Sequence, residues 1–270
     1  MGDGAIGRPI VPKEHGAWAV LYGAFLAGVG VAGRLTVPVM LLFGAVTLLA
    51  IANGPLVLLL RPTGGPAPSA ERRRAFAWIA IYLAGAAACI APLLVVSQMT
   101  FLVPFGMAAA CFVVLRAFLV RGGEDRSLPG ALVGAVALTL VGPIAHAVAV
   151  NGAQPVGAVL WLLLSLFFAS GVFYVRMRVR LMVAQRRGVT GASSRARWSC
   201  VVFHAFVLVL VPGLAAVSLI PWAVLLAFAP ALWRAAAGLR RHDAPLNLKR
   251  LGWSEVGLTA VFVLLLIASL

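Results

Sequence analysis

The sequence predicts an all-α fold, a polytopic membrane bundle of about nine transmembrane helices in one domain over residues 1–270. Three observations predict it. The chain is 63% hydrophobic and 11% charged, a balance foreign to water-soluble domains of this size. Its apolar residues gather into nine stretches of about 17–25 residues, each able to cross a hydrocarbon core of about 30 Å. Its basic residues fall almost entirely in every second gap between those stretches, the alternation of the positive-inside rule.

The expected spans follow in order. The first, 16–33, comes after a polar segment with Arg8 and Lys13, which has no short apolar run and small-residue cleavage site and so reads as no cleavable signal. The second, 36–60, ends at Arg61, and the third, 75–96, starts behind Arg72, Arg73 and Arg74. The fourth, 100–120, stops at Arg121, with Arg126 before the fifth, 128–150. The sixth, 155–177, runs into the arginines from Arg176 to Arg197, read as an inner extension of the helix followed by a Gly188–Ser194 linker. The seventh, 198–218, and eighth, 219–237, meet at a tight turn near Ser218–Pro221. Fusing them would invert the last span and put the Arg234–Arg250 run outside, so they count separately. The ninth, 253–270, closes the chain. This order sets the N-terminus in the cytoplasm and Leu270 outside, in a cell inner (cytoplasmic) membrane. The long loops then lie inside, and so does the expected function. No backbone but helix suits these stretches, because lipid offers no hydrogen-bond partners.

A net charge of +15 would suggest nucleic acid in a soluble chain. Here the arginines set topology and lie against anionic headgroups. No basic stretch interleaves with exposed aromatics, which excludes a nucleic-acid partner and leaves membrane lipids. Cys89, Cys111 and Cys200 sit within apolar stretches and form no CxxC pair, so neither a disulfide framework nor a zinc site is expected.

Candidate chemistry gathers at the inner boundary. Lys13 and Lys249 are the two lysines among 22 basic residues. Both stand where a span begins, placed either to snorkel or to reach an anionic headgroup. Glu14 suits a helix start for the dipole alone, but His15 beside it brings a donor, acceptor and base. Asn53, Arg116, Tyr174, Arg176, Arg180, His204, Arg250 and Glu255 map to the same face, near the inner ends of their spans. Ionisable groups in spans usually face the bundle interior. Arg116 and Arg234 have snorkelling as the alternative, and His204 has packing. Arg176 and Arg180 share one helix face, with Glu255 as their expected counter-ion. His146, near the outer end of the fifth span, reads as structural. Glu71, Glu124, Asp125, Asp243 and Arg72–Arg74 read as loop solvation. Seven acidic residues, with no DDxxD or NDxxDxxxD cluster, argue against a metal-carboxylate mechanism. No metal or cofactor is expected.

The segments Pro12-Lys13-Glu14-His15-Gly16-Ala17-Trp18, Gly171-Val172-Phe173-Tyr174-Val175-Arg176 and Asn247-Leu248-Lys249-Arg250-Leu251-Gly252-Trp253-Ser254-Glu255 resemble the YwiC-like family of bacterial membrane proteins. A looser likeness is to the UbiA superfamily of intramembrane prenyltransferases, which implies a nine-helix bundle with a cytosolic active site. The motif positions of that superfamily correspond to Asn53-Gly54-Pro55 and Tyr174–Arg180, but its metal-binding aspartates are absent here.

These readings combine into an expectation of an enzyme on an isoprenoid or lipid substrate with an anionic head. Lys13, Asn53, Arg116, Arg176, Arg180, His204, Lys249 and Arg250 would bind substrate, while Glu14, His15, Tyr174 and Glu255 would serve the acid–base steps. Prenyl transfer and acid-initiated cyclisation both fit. The alternative is a carrier or exporter of a small anion.

Overall fold

The computed structural model describes residue 9 and residues 15–60, 69–187, 191–240 and 247–270. Among the described residues there are ten helices and no strand: α1 (His15–Ala32), α2 (Val37–Leu60), α3 (Ser69–Val95), α4 (Leu102–Arg121), α5 (Leu128–Thr139), α6 (Val141–Val150), α7 (Pro155–Arg187), α8 (Gly191–Ala216), α9 (Val224–Arg240) and α10 (Leu248–Ser269). Counting α5 and α6 as one broken crossing recovers the nine expected spans. Seven crossings are long and apolar enough to traverse a bilayer, and the shorter α1 and α9 complete the bundle.

Several helices outrun their apolar stretches. Helix α3 starts at Ser69, so Glu71 and Arg72–Arg74 lie in its first turns and not in a loop. Glu71 there faces the positive end of the helix dipole. Helix α8 includes Gly191–Ser194, expected as linker, and α10 begins at Leu248, where Asn247 caps it by accepting from the N–H groups of Lys249 (3.0 Å) and Arg250 (3.1 Å). The 33 residues of α7 span about 50 Å, well beyond one hydrocarbon core. Hydropathy marks where lipid ends, whereas backbone bonding carries a helix on into water.

Side-chain neighbours fix the relative directions within four helix pairs. Gly44 lies against Cys89 and Gly85 against Leu48, so α2 and α3 are antiparallel. Gly23 faces Thr259 and Gly30 faces Ile267, so α1 and α10 run parallel. Ser170 meets Arg234 and Gly238 meets Tyr174, so α7 and α9 run parallel. Phe167 stacks on Phe262 and Gly171 approaches Glu255, so α7 and α10 are antiparallel. This alternation collects the arginine-bearing junctions at one end, here called the basic end.

The main core lies among α1, α7, α8, α9 and α10, around Phe167, Phe168, Phe228, Phe262 and Leu164. The Phe167 and Phe262 rings stack at 3.7 Å and 7°. A second core joins α1, α2 and α6 through Leu21, Phe25, Val39, Leu42 and Val148. Small residues allow the tightest approach: a methyl on Gly28 would land on the Gly142 carbonyl oxygen, the small-residue packing of membrane helices. Most of α4 faces outward, as a helix solvated by lipid should.

The fifth crossing breaks at Leu140. Pro143 has no N–H to give the Thr139 carbonyl, and its ring crowds that position. The Leu140 N–H turns to Ala137 O (3.3 Å), away from Val136 O, which a continuous helix would offer it. Val136 O receives the Thr139 hydroxyl (2.8 Å) and the Trp161 indole N–H (3.2 Å) instead. A break inside lipid survives only with such substitute partners.

Candidate functional site

Four helices bring polar side chains together in the half of the bundle nearer the basic end. Arg234 of α9 is the centre. Its Nη1 donates to Glu255 Oε2 of α10 in an ion pair, and its Nη2 donates to Ser170 Oγ of α7 at 3.3 Å. The guanidinium carbon lies 4.4 Å from the centroid of the Tyr174 ring, one turn along α7, a cation–π contact. Ser170 in turn donates to Phe167 O at 2.8 Å. From α8, Cys200 packs with Tyr174 and Met177, and His204 follows it one turn along.

Glycine makes the approach feasible. A methyl on Gly238 would meet Tyr174 Cε2 at 2.5 Å and its hydroxyl at 3.1 Å. A methyl on Gly171 would stand 3.4 Å from Glu255 Oε2. The Gly171-to-Arg176 segment therefore keeps a smooth wall for Glu255 at its first residue and sets the aromatic ring over Arg234 at Tyr174.

Three buried polar atoms of this cluster have no hydrogen-bond partner: His204 Nε2, Arg234 Nε and Glu255 Oε1. His204 Nδ1 lies 2.8 Å from Cys200 O, and a carbonyl can only accept, so Nδ1 carries the proton. In the neutral ring Nε2 then holds a free lone pair. The cluster thus presents one acceptor on imidazole, one donor on guanidinium and one acceptor on carboxylate. The Arg234 and Glu255 side chains keep 13% and 22% of their surface exposed, although the three unpartnered atoms are themselves buried. Apolar layers flank the cluster, with the phenylalanine core on one side and Tyr174, Met177, Cys200 and Leu251 on the other.

The residues expected from sequence separate into groups. Tyr174, His204 and Glu255 converge. Glu255 pairs with Arg234 and not with Arg176 or Arg180, a correction with a geometric cause. α9 and α10 are adjacent antiparallel helices that bring both residues to one level, while Arg176 lies farther toward the basic end and donates to Arg126 O (3.4 Å) in the α4–α5 junction. Arg180 is exposed on α7 beyond it. Arg116 of α4 faces Gly134 of α5, its Nε buried without a partner, away from the Arg234 cluster. Asn53 is half-buried in α2, two residues before Pro55. Lys249 and Arg250 are exposed on the first turn of α10. His15 opens α1; its side chain, Lys13 and Glu14 lie outside the described residues. Arg234, expected near the end of its span, sits six residues inside α9 and does not snorkel alone. His204 lies in the fourth turn of α8 because that helix starts earlier than the apolar stretch. Ser170 and Cys200 entered the site unannounced, since a hydroxyl or thiol within an apolar run carries no sequence signal of its own. Among the described residues, no three His, Cys, Asp or Glu side chains gather as a metal would need.

No curated protein and no solved structure matches the chain. The likeness to the UbiA superfamily therefore rests on helix number and motif position alone. The family model described as YwiC-like protein matches residues 11–146, which run from the start of α1 into α6 and stop short of the Arg234 cluster. By that match over half of its length, the chain belongs to the YwiC-like protein family.

Proposed function

We propose that the chain is an inner-membrane enzyme whose Arg234 cluster works on an isoprenoid or lipid substrate with an anionic head. The basic end faces the cytoplasm in this reading, as the positive-inside rule requires. The observation that carries it is the set of three unpartnered buried atoms, His204 Nε2, Arg234 Nε and Glu255 Oε1, on the helices that meet at Arg234. Native interiors rarely leave such atoms unsatisfied, so a ligand with its own donors and acceptors fits them. Arg234 anchors the anionic head, His204 Nε2 accepts a proton and Glu255 delivers one. The aromatic rings of Phe167, Phe168 and Phe262 lie beside the cluster, as an apolar tail or a developing carbocation would favour. Prenyl transfer and acid-initiated terpenoid cyclisation both remain within this reading, neither needing an aspartate-bound Mg²⁺.

The test is native mass spectrometry with lipidomics on purified wild type and Arg234→Gln. A co-purifying isoprenoid or phospholipid with an anionic head, lost in the variant, is the expected result. The same lipids at the same occupancy in both proteins would remove Arg234 from substrate binding.

A second reading, a carrier of a small anion, draws on the break at Leu140. Discontinuous helices line the midplane sites of many transporters, and buried His146 of α6 leaves its Nδ1 without a partner in the other half of the bundle. Uptake of labelled anions into proteoliposomes separates the two, since an enzyme moves none.

A further inference from the structure

We infer that Arg234 binds the anion only when Glu255 takes up a proton, so that one proton enters the site with each anionic head. The inference rests on the anionic-head reading above and adds the coupling that the geometry demands.

The free site is already neutral. Arg234 is compensated by Glu255 Oε2, and among the described residues no other carboxylate faces the guanidinium. The groups around Glu255 can be named helix by helix. Helix α9 contributes Arg234, and α7 contributes Ser170 and Tyr174 with Gly171 against the carboxylate. Helix α8 contributes Cys200, packed with Tyr174, and His204 one turn along. Helix α1 meets α10 at Gly23, opposite Thr259, while its Tyr22 turns away to Thr47 and Phe43 of α2. Arg176 and Arg180 lie farther along α7, and Lys249 and Arg250 stand exposed on the first turn of α10.

An anion added to the intact pair would leave a net negative charge among helices surrounded by hydrocarbon, which membranes strongly disfavour. It would also share one guanidinium charge with Glu255, which holds Nη1. A proton on Glu255 resolves both problems. The carboxylate becomes a carboxylic acid, the ion pair to Glu255 is replaced by one to the ligand, and the site stays neutral throughout. The unpartnered Glu255 Oε1 offers a place for that proton. Once protonated, it is a hydrogen-bond donor. Apolar layers on both sides limit, without abolishing, the screening of the charges by water.

The recognised chemistry is a single permanent anionic group, and it has two sources, a lipid headgroup or a free oxyanion. Two probes, each carrying one negative charge, separate them: short-chain phosphatidylglycerol and nitrate. Neither exchanges a proton between about pH 5 and 9, so any proton taken up belongs to the protein. The experiment measures binding of each to the full-length protein in a non-ionic detergent, in weak buffer with a pH indicator. The expected result is uptake of one proton per bound anion and an affinity that falls tenfold per pH unit across the coupled range. Preference for phosphatidylglycerol assigns the site to headgroups, and preference for nitrate assigns it to free oxyanions. Glu255→Gln should bind the preferred probe without pH dependence and without proton uptake.

Binding to wild type with no proton uptake overturns the coupling while leaving the anionic-head reading standing. Undiminished uptake in Glu255→Gln also overturns it, because the proton would then belong to His204. Failure of both probes to bind at any pH overturns the anionic-head reading and this inference together. The pH slope of the wild type needs no variant, so a poorly folded Glu255→Gln does not stall the test.

Discussion

Breaking the Arg234–Glu255 pair from each side separately should cost unequal amounts, and breaking it from both sides should cost less than the sum. Arg234 lies six residues before the end of α9, about 9 Å along it, and Glu255 seven residues after the start of α10, about 10 Å. Counted from the apolar stretches, Arg234 lies three residues inside 219–237 and Glu255 two inside 253–270, just within the hydrocarbon boundary, and one uncompensated charge in a buried pair costs about 3–5 kcal/mol. Their 13% and 22% exposure lets some water or headgroup reach them, which lowers the figure to about 2–3 kcal/mol. Glu255→Leu leaves Arg234 with Ser170 Oγ and the Tyr174 ring. Its cost should be about 2 kcal/mol, part of the charge being met by cation–π attraction. Arg234→Met leaves Glu255 with no described side-chain donor, and its cost should be about 3 kcal/mol. The double variant removes both charges and should cost about 1–2 kcal/mol, an interaction energy of about 3–4 kcal/mol. Unfolding free energies by steric trapping in bicelles give all four corners of the cycle. Additivity within about 0.5 kcal/mol would refute the argument, as it would mean that the two charges are solvated independently.

Other expectations follow from the same contacts. Gly238→Ala should push the Tyr174 ring off Arg234 at a cost of about 1–3 kcal/mol, and most of that cost should vanish in a Tyr174→Ala background; equal costs in both backgrounds would show that the ring is not what the methyl meets. Gly28→Leu should part α1 from α6 at Gly142 and destabilise by more than about 2 kcal/mol, read as loss of folded protein in a thermal melt, whereas Gly16→Leu, with nothing near its Cα, should be neutral. Trp161→Phe keeps the apolar ring but removes the indole donor to Val136 O, and should cost about 1 kcal/mol with faster hydrogen exchange around Leu140. Orientation is testable by labelling intact cells with a membrane-impermeant thiol reagent after the native cysteines are replaced. Cysteines at Gln98 and Asn151 should react and those at Gly123 and Gln185 should not, and the reverse pattern would invert the topology.

The spans were legible because their cause is local. Twenty apolar residues in a row are enough to decide a crossing, and the arginine alternation needs no knowledge of packing. The break at Leu140 was less legible, although Pro143 was in view, because the run 128–150 is apolar throughout and hydropathy is blind to backbone bonding. Helix ends were misplaced outward of the lipid for the same reason, as at Ser69 and Gly191. The counter-ion of Glu255 is the instructive miss. Arg176 attracted the assignment because it stands in an arginine cluster, yet clustered arginines at a helix end are solvated and need no partner. The better signal was isolation. Arg234 and Glu255 each stand five or six residues from the next charge on their helices, which are consecutive and antiparallel, and nearly equal distances from the segment that joins them. Lone opposite charges so placed lie at the same depth, and hydrocarbon forces them together.

The family match and the polar cluster occupy different parts of the chain, and the packing explains how one serves the other. Residues 11–146 supply α1 and the broken α5–α6 crossing. Helix α1 lies along α10 through Gly23 and Gly30, so it sets the rotation and height of the helix that carries Glu255. The broken crossing grips α7 through the Thr139–Ser165 hydroxyl pair at 2.9 Å and the Trp161 bond to Val136 O, and α7 carries Ser170 and Tyr174. The first half thus fixes the two walls between which Arg234 is held, without contributing a described side chain to the guanidinium. Substitutions along Gly23, Gly30 or Thr139 should therefore alter ligand affinity at Arg234 though none touches it, and they should do so in proportion to the loss of the Arg234–Glu255 interaction energy. A variant at these positions that lowered affinity while leaving that energy unchanged would place ligand contacts in the first half of the chain.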